Sequence, residues 1–108
     1  MRFNRLKLQH GYHDAMVSAI RYRDRDVILD VDLCGCCNPS PGPATIIFQS
    51  VRNFDVVHQA LESARRANSH REYIDEIIGI VRGDNGGFLL DLQTAGCVTV
   101  VAGSIFEA

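Results

Sequence analysis

Apolar and polar residues alternate through the last third of the chain, residues 72–107. Two rows repeat with the period of two that a half-buried strand requires: Phe88, Leu90 and Leu92, then Val98, Val100 and Ala102. Turn residues separate the runs, with a Gly/Asp/Asn-rich segment at 83–87 and the pair Ala95-Gly96 further on. The pattern predicts an antiparallel meander of strands.

The first run of this meander, residues 71–82, carries apolar side chains on both faces. Ile77 and Ile78 follow one another, and Asp75 and Glu76 stand directly before them. We therefore expect this strand to be bulged, twisted or covered on both sides. A sheet of this kind needs the rest of the chain to cover its apolar face.

The first half of the chain contains further strand candidates at residues 2–9, 17–22, 27–33 and 44–50. The run 27–33 alternates most regularly, because Val27, Leu29, Val31 and Leu33 occupy one face, and Asp30 and Asp32 share the other. A charged segment at 23–26 predicts a hairpin turn before it.

A helical period appears only between the two groups of strands. Phe54, Val57, Leu61 and Ala64 form an apolar stripe at helical spacing. Asn53 is placed to cap the helix, Asp55 and Arg65-Arg66 suit the helix dipole, and His58 is expected to be partly buried on the apolar side. The chain is thus predicted to be α+β, with a mostly antiparallel β-sheet folded as a sandwich or half-barrel and one helix near residues 54–67.

Composition narrows the class of protein. At 108 residues the chain has the length of a single domain, 1–108, and its 46% hydrophobic and 22% charged residues are typical of a globular protein. A net charge of −2 without a basic stripe argues against a nucleic-acid partner. We find no apolar run of the roughly 20 residues that span a bilayer and no signal-like start, so we expect a cytoplasmic protein without a membrane partner. Its cysteines are then expected to be reduced unless they bind metal or act in redox chemistry.

The most unusual segment is CGCCNPSPGP at residues 34–43, which contains every proline of the chain and is therefore a loop. Thiolates are good ligands for soft metals, so Cys34, Cys36 and Cys37 are candidate zinc ligands, with His13, another histidine or Cys97 completing the set. The CxCC spacing differs from the two separated pairs of a structural zinc site. The alternative interpretation is that these cysteines are small, inert residues at a strand end.

Other polar clusters give weaker indications. His10 and His13, with Asp14 beside them, are close enough in sequence to be joint ligands of one metal ion, but we favour a local hydrogen bond from His13 or Asp14 at the entry to the next strand. Asp30 and Asp32 lie about 7 Å apart on strand geometry. They are interpreted as solvated surface residues unless Asp14 or a histidine converges on them. No nucleotide-binding or hydrolase motif is present, and no catalytic residue is assigned.

A resemblance follows from three of these features. His13-Asp14, the strand VILDVDL at 27–33 and the run Ile46-Ile47-Phe48 resemble small bacterial β-rich domains, some of which are immunity proteins of toxin systems. The proline-rich CGCC segment departs from that pattern. The resemblance implies a compact, non-enzymatic binding domain with no catalytic residues to transfer.

Two functional hypotheses follow. The first is a protein-binding module, immunity-like, whose partner could be a toxin, and which could also form a homodimer through a sheet edge. The alternative is a metal-binding protein or enzyme that uses the Cys34/Cys36/Cys37 loop with a histidine. We expect the first and a non-enzymatic protein.

Overall fold

The computed structural model describes residues 8–83 and 87–108. Its elements are β1 (Ala15–Arg23), β2 (Asp26–Leu33), β3 (Gly42–Gln49), α1 (Phe54–Ala67), β4 (Asp75–Arg82), β5 (Phe88–Leu92), β6 (Gly96–Val100) and β7 (Ser104–Glu107). Each pairing between neighbouring strands is antiparallel. The predicted α+β class and the single helix of the described residues are confirmed.

Two sequence-based expectations fall partly outside the described residues. The strand predicted at 2–9 overlaps them only at Leu8 and Gln9, and neither is in a strand. Residues 84–86 of the turn predicted at 83–87 also lie outside. The last predicted strand is divided into β6 and β7, because the chain leaves β6 at residues 101–103 and the Gly103 N–H then donates to Gln49 O of β3.

The sheet is strongly curved. Its strand order is β6-β5-β4-β1-β2-β3-β7, so β6 and β7 are the edges and do not pair. Residues 101–103 alone connect these edges, and four Cα–Cα steps span at most about 14 Å. The rings of Phe48 on β3 and Phe88 on β5 are 6.0 Å apart between centroids, although three strands lie between them. The sheet is therefore an open half-barrel that is not closed into a barrel.

The concave side of the sheet holds the core. The rows predicted to face inward are buried: Val27, Leu29, Val31, Leu33, Phe88, Leu90, Leu92, Val98, Val100 and Ala102. The helix adds Val57, Leu61 and Ala64 from its apolar stripe. Burial of each large apolar side chain contributes about 1.5–3 kcal/mol to the free energy of folding, so this shared core is what holds the curved sheet and the helix together.

The helix begins after Asn53 as predicted, but the Asn53 side chain does not cap it. Instead its Nδ2 donates to Thr99 O at 2.7 Å, and its Oδ1 accepts from Val101 N at 2.9 Å. These bonds give a hydrogen-bond partner to one backbone carbonyl of β6 and to one backbone amide directly after it, at the open edge of the sheet. The burial expected for His58 is wrong: its ring is exposed and lies 4.8 Å from that of Tyr22, because it is about 100° around the helix from Val57.

Strand β4 is bulged, as predicted, with a register shift between Ile77 and Gly79. Its first residue, Asp75, is 6% exposed. The Asp75 Oδ1 accepts from Thr94 N at 2.9 Å, and Oδ2 accepts from Ala95 N at 3.0 Å. One buried carboxylate therefore fixes the turn between β5 and β6, a role that the sequence did not indicate.

The Asp75 interaction leads to a prediction about stability. Asp75→Ala leaves the Thr94 and Ala95 amides without acceptors, and we expect the free energy of unfolding to fall by about 2–4 kcal/mol in urea denaturation. Asp75→Asn keeps one acceptor oxygen and should lose about half as much. Asp91→Ala, at an exposed position of β5, is the matched control. Equal losses for Asp75→Ala and Asp91→Ala would contradict the role assigned to Asp75.

Candidate metal centre

Strand pairing brings the chemically active residues to one end of the sheet. Met16 of β1 and Asp32 of β2 are partners in the antiparallel register. Asp14 is two residues before Met16, and Cys34 is two residues after Asp32, so the register places the two opposite one another. A carboxylate oxygen of Asp14 and the Sγ atoms of Cys34 and Cys36 lie within 4.8 Å of one another.

The backbone at Asp14 is unusual. Its φ of 63° lies in the left-handed region, which Asp and Asn adopt more readily than other non-glycine residues. The Asp14 N–H donates to Ile77 O of β4 at 2.8 Å, and the following Ala15 N–H donates to Tyr12 O at 3.0 Å. The turn into β1 is therefore bonded to the neighbouring strand, and the Asp14 backbone is held in place.

Asn38 anchors the cysteine loop. It is 7% exposed, and its Nδ2 donates to Gly11 O at 2.8 Å and to Cys34 O at 2.9 Å. Its Oδ1 accepts from Gly11 N at 2.9 Å. A Cβ at Gly11 would lie 3.1 Å from the Cys37 Cβ, so a larger residue at this position would push the loop outward by a few tenths of an ångström. Residues 34–38 are thus fixed against the segment that leads to Asp14.

Glu107 of β7 holds that segment from the other side. Its carboxylate accepts from His10 N at 3.1 Å and from the Tyr12 hydroxyl at 2.8 Å. Burial raises the pKa of Tyr12, and the hydrogen bond to Glu107 raises it further, so the phenol stays protonated and remains a donor. The edge strand β7 is therefore bonded to the segment on which the cysteine loop packs.

The sulfur atoms of the loop are close together. Cys34 and Cys36 form a disulfide, and Cys37 and Cys97 are free and exposed. The Sγ atoms of Cys36 and Cys37 are 3.4 Å apart. The sequence led us to expect reduced cysteines unless they bind metal or act in redox chemistry, and in this structure Cys34 and Cys36 are paired. Cys97, considered from the sequence as a possible further ligand, lies on β6 and is not in the group around Asp14.

His13 lies beside this group. Its Nδ1 is 2.7 Å from Ile78 O, and its Nε2 is 3.5 Å from Asp14 Oδ2. A carbonyl oxygen only accepts, so Nδ1 carries the hydrogen, and in the neutral ring Nε2 presents its lone pair. This is the tautomer that binds a metal through Nε2. The favoured local hydrogen bond is wrong for His13, because its partner lies 65 residues away in β4.

The structure therefore changes the predicted ligand set of Cys34, Cys36, Cys37 and His13. The sequence analysis considered Asp14 beside His13 and as a possible neighbour of Asp30 and Asp32, but it joins Cys34 and Cys36 instead. Cys37 and His13 stand at its margin, through the 3.4 Å contact with Cys36 and the 3.5 Å contact with Asp14. The sequence signal for Asp14 was its position: it precedes β1 by one residue, as Cys34 follows β2 by one.

A second carboxyl group adds negative charge at this end of the sheet. Glu76 of β4 is the register partner of Met16 on β1. Burial raises the pKa of Glu76, and a hydrogen bond with Asp14 and the charge of Asp14 raise it further. Two carboxyl groups that share a site disfavour full ionisation, and a bound cation relieves this repulsion.

Asp30 and Asp32 do not join the group. The Asp30 carboxylate accepts from Arg21 Nε and Nη2, both at 2.9 Å, and from the Thr45 hydroxyl at 2.8 Å. The hydrogen bond from Arg21 holds the pKa of Asp30 below its usual value. The negative charge of Asp32 raises the pKa of Tyr73, and a hydrogen bond with Asp32 raises it further. The interpretation of Asp30 and Asp32 as surface residues fits these contacts.

Comparison with protein-family models, with curated proteins and with solved structures finds no match for this chain. In the part of the chain that the structure describes, no helix combines the length and apolar character needed to cross a membrane. The site is therefore interpreted from its own geometry: two sulfurs and a carboxylate, with an imidazole and a third sulfur beside them. Such a mixed donor set suits Zn²⁺ and similar cations.

The anchoring of the loop can be tested at Asn38. Asn38→Ala leaves the Gly11 amide and the Cys34 carbonyl without their partner, so we expect the free energy of unfolding to fall by about 1–3 kcal/mol. Hydrogen exchange at the Gly11 amide should become faster. The exposed loop residue Ser40 provides the control variant Ser40→Ala. Unchanged Gly11 exchange in Asn38→Ala would show that the loop is held by other contacts.

Proposed function

We propose that this protein binds a zinc-like divalent cation through Cys34, Cys36 and Asp14 in the reduced state. The observation that carries the proposal is the convergence of these three donor groups within 4.8 Å. They come from the ends of two adjacent strands and from the loop between β2 and β3, and both the turn at Asp14 and the cysteine loop are hydrogen-bonded in place.

Distances between neighbouring donors support this proposal. Zinc–ligand bonds of about 2.0–2.3 Å in a tetrahedron place neighbouring donors about 3.3–3.8 Å apart. Asp14 Oδ2 lies 3.9 Å from Cys36 Sγ and 3.5 Å from His13 Nε2. These spacings approach those of a coordination shell, so a small movement would bring Asp14, Cys36 and His13 onto one ion. Reduction of the Cys34–Cys36 disulfide would have to come first, because its two sulfur atoms must separate to act as individual ligands.

The fourth ligand decides the kind of site. If His13 Nε2 or Cys37 Sγ fills the fourth position, the shell consists of protein groups alone, which is the arrangement of structural zinc. The metal would then fix the cysteine loop against β1 and β4 without an open position for a reacting molecule. We therefore propose a binding and stabilising role for the ion. In the cytoplasmic location proposed from the sequence, the cell would keep Cys34 and Cys36 reduced and available.

Metal titration tests this proposal. We expect the reduced protein to take up one equivalent of Zn²⁺ in competition with a chromophoric chelator, and Co²⁺ to give a thiolate charge-transfer band. Cys34→Ser and Asp14→Asn should each weaken binding by more than the roughly 10- to 100-fold effect typical of an outer-shell partner. Cys97→Ser should leave affinity unchanged, because Cys97 lies on β6.

The variants His13→Ala and Cys37→Ser then identify the fourth ligand. Only the variant that lacks this ligand should lose as much zinc affinity as Cys34→Ser and Asp14→Asn. Absence of uptake by the reduced protein, or equal uptake by Cys34→Ser, would rule out the proposed metal site.

A second proposal, a protein-binding module, has a separate observation in its favour. Ile47 and Phe106 are register partners on β3 and β7, on the face of the sheet away from the rows of Val27 and Phe48, and the buried Ile28 of β2 is the other partner of Ile47. Phe106 is 53% exposed on the edge strand β7. A large exposed apolar side chain on a sheet edge favours contact with another chain. An immunity-like role against a toxin is the specific form of this proposal that the resemblance suggests.

Photo-crosslinking tests the protein-binding proposal in cells. A photoreactive phenylalanine analogue at position 106 should give one discrete adduct with a partner protein, and Ile47→Asp should reduce its yield several-fold. The same analogue at Val56, which is 63% exposed on α1, provides the control and should give none. An adduct of twice the chain mass would identify a homodimer. Lack of an adduct at 106, or equal adducts at 106 and 56, would contradict a binding surface at β7.

A further inference from the structure

We propose that the Cys34–Cys36 disulfide is a centre for thiol–disulfide exchange with thiol substrates, in which Cys36 receives the attacking thiolate and Cys34 leaves. This activity is separate from metal binding, because it uses the oxidised pair. It rests on the different surroundings of the two sulfur atoms in the loop.

Access favours attack at Cys36. Cys36 and the neighbouring Gly35 and Cys37 are exposed, whereas Cys34, at the end of β2, is half-buried. Cys34 also belongs to the anchored part of the loop, since its carbonyl accepts from Asn38 Nδ2. A thiol from solution therefore meets the Cys36 sulfur first, and the Cys34 sulfur lies behind it on a fixed backbone.

The hydrogen bond at Cys34 favours its departure. The backbone N–H of Cys36 donates to Cys34 Sγ at 3.2 Å. When the disulfide breaks, negative charge develops on the leaving sulfur, and a donor already in place stabilises that charge. The donor is a backbone amide of the loop, so it remains when a side chain is changed.

The carboxylate beside Cys36 acts in the same direction. Asp14 Oδ2 lies 3.9 Å from Cys36 Sγ, so a negative charge that developed on Cys36 would face a like charge. The Asp14 charge therefore opposes departure of Cys36. Cys34 Sγ lies within 4.8 Å of the same carboxylate, but it also accepts from the Cys36 N–H, which offsets the repulsion there. A mixed disulfide on Cys36 carries no charge on that sulfur and avoids the repulsion.

The reaction balances with two molecules of a monothiol. The first thiolate forms a bond to Cys36 Sγ, the Cys34–Cys36 bond breaks, and its electron pair goes to Cys34. A second thiolate attacks the substrate sulfur of the mixed disulfide, which releases Cys36 as a thiolate. The two substrate thiols are oxidised to a disulfide, the protein pair is reduced, and the two substrate protons end on Cys34 and Cys36.

Cys37 must be removed from the test, because its Sγ lies 3.4 Å from that of Cys36. A disulfide between adjacent cysteines is strained, but Cys37 could still scramble the products. The full chain with Cys37→Ser and Cys97→Ser keeps Cys34 and Cys36 alone. It is treated with a chelator, so that exchange is measured without metal.

The first experiment equilibrates this variant with mixtures of reduced and oxidised glutathione and counts thiols by alkylation and mass spectrometry. We expect both thiols to appear together as a two-electron couple, following the squared concentration of reduced glutathione over that of the oxidised form. A pair that remains fully oxidised or fully reduced across all ratios would overturn the proposal. Zinc uptake by the reduced chain is measured separately, so either proposal can fail alone.

The second experiment tests the direction of exchange. The oxidised variant is mixed briefly with reduced glutathione, quenched with acid and mapped by peptide mass spectrometry. We expect glutathione on Cys36 at least about tenfold more often than on Cys34. Adding Asp14→Asn should reduce this preference several-fold, because Asn tolerates the left-handed turn but lacks the charge. Equal labelling, or a preference for Cys34, would overturn the assigned direction.

Discussion

The placement of β1 between β2 and β4 is the constraint on which the candidate site depends. Its register with β2 sets Asp14 opposite Cys34, and its register with β4 sets Met16 opposite Glu76. Because all three strands are antiparallel neighbours, residues far apart in sequence meet at one end of the sheet. A slip of one residue in β1 would also turn its buried side chains outward, so core packing and site geometry enforce the same register.

The curvature of the sheet has a second consequence for the site. Because the edges β6 and β7 are joined by residues 101–103 alone, the sheet must bend, and β7 comes within reach of the segment before β1. Glu107 then binds the His10 amide and the Tyr12 hydroxyl. The cysteine loop packs on this same segment through Asn38, so its position depends on the far edge of the sheet as well as on β2.

Much of the fold could be predicted from the sequence, since alternation in runs such as 27–33 and 88–92 directly reports which side chains are buried. The cysteine loop could be recognised as a candidate from composition. The partners of this loop could not be predicted. Asp14 is placed opposite Cys34 by the register of β1 with β2, and His13 binds the carbonyl of Ile78, which is 65 residues away in sequence. The burial of Asp75 and its hydrogen bonds could not be predicted for the same reason. In a sequence, a carboxylate on a strand cannot be told from a solvated residue, because its partners are distant in the chain.

Negative charge is concentrated around the cysteine pair when Cys34 and Cys36 are reduced, and the oxidised pair lacks this charge. Reduced and ionised, Cys34 and Cys36 would place two negative charges beside Asp14, within 4.8 Å, and near Glu76. Such crowding is costly unless a cation binds or the sulfur charges are removed. A divalent cation achieves the first and a disulfide achieves the second. The proposed metal binding and the disulfide would thus be alternative ways to stabilise one arrangement of the loop, and each would exclude the other because both use the same sulfur atoms.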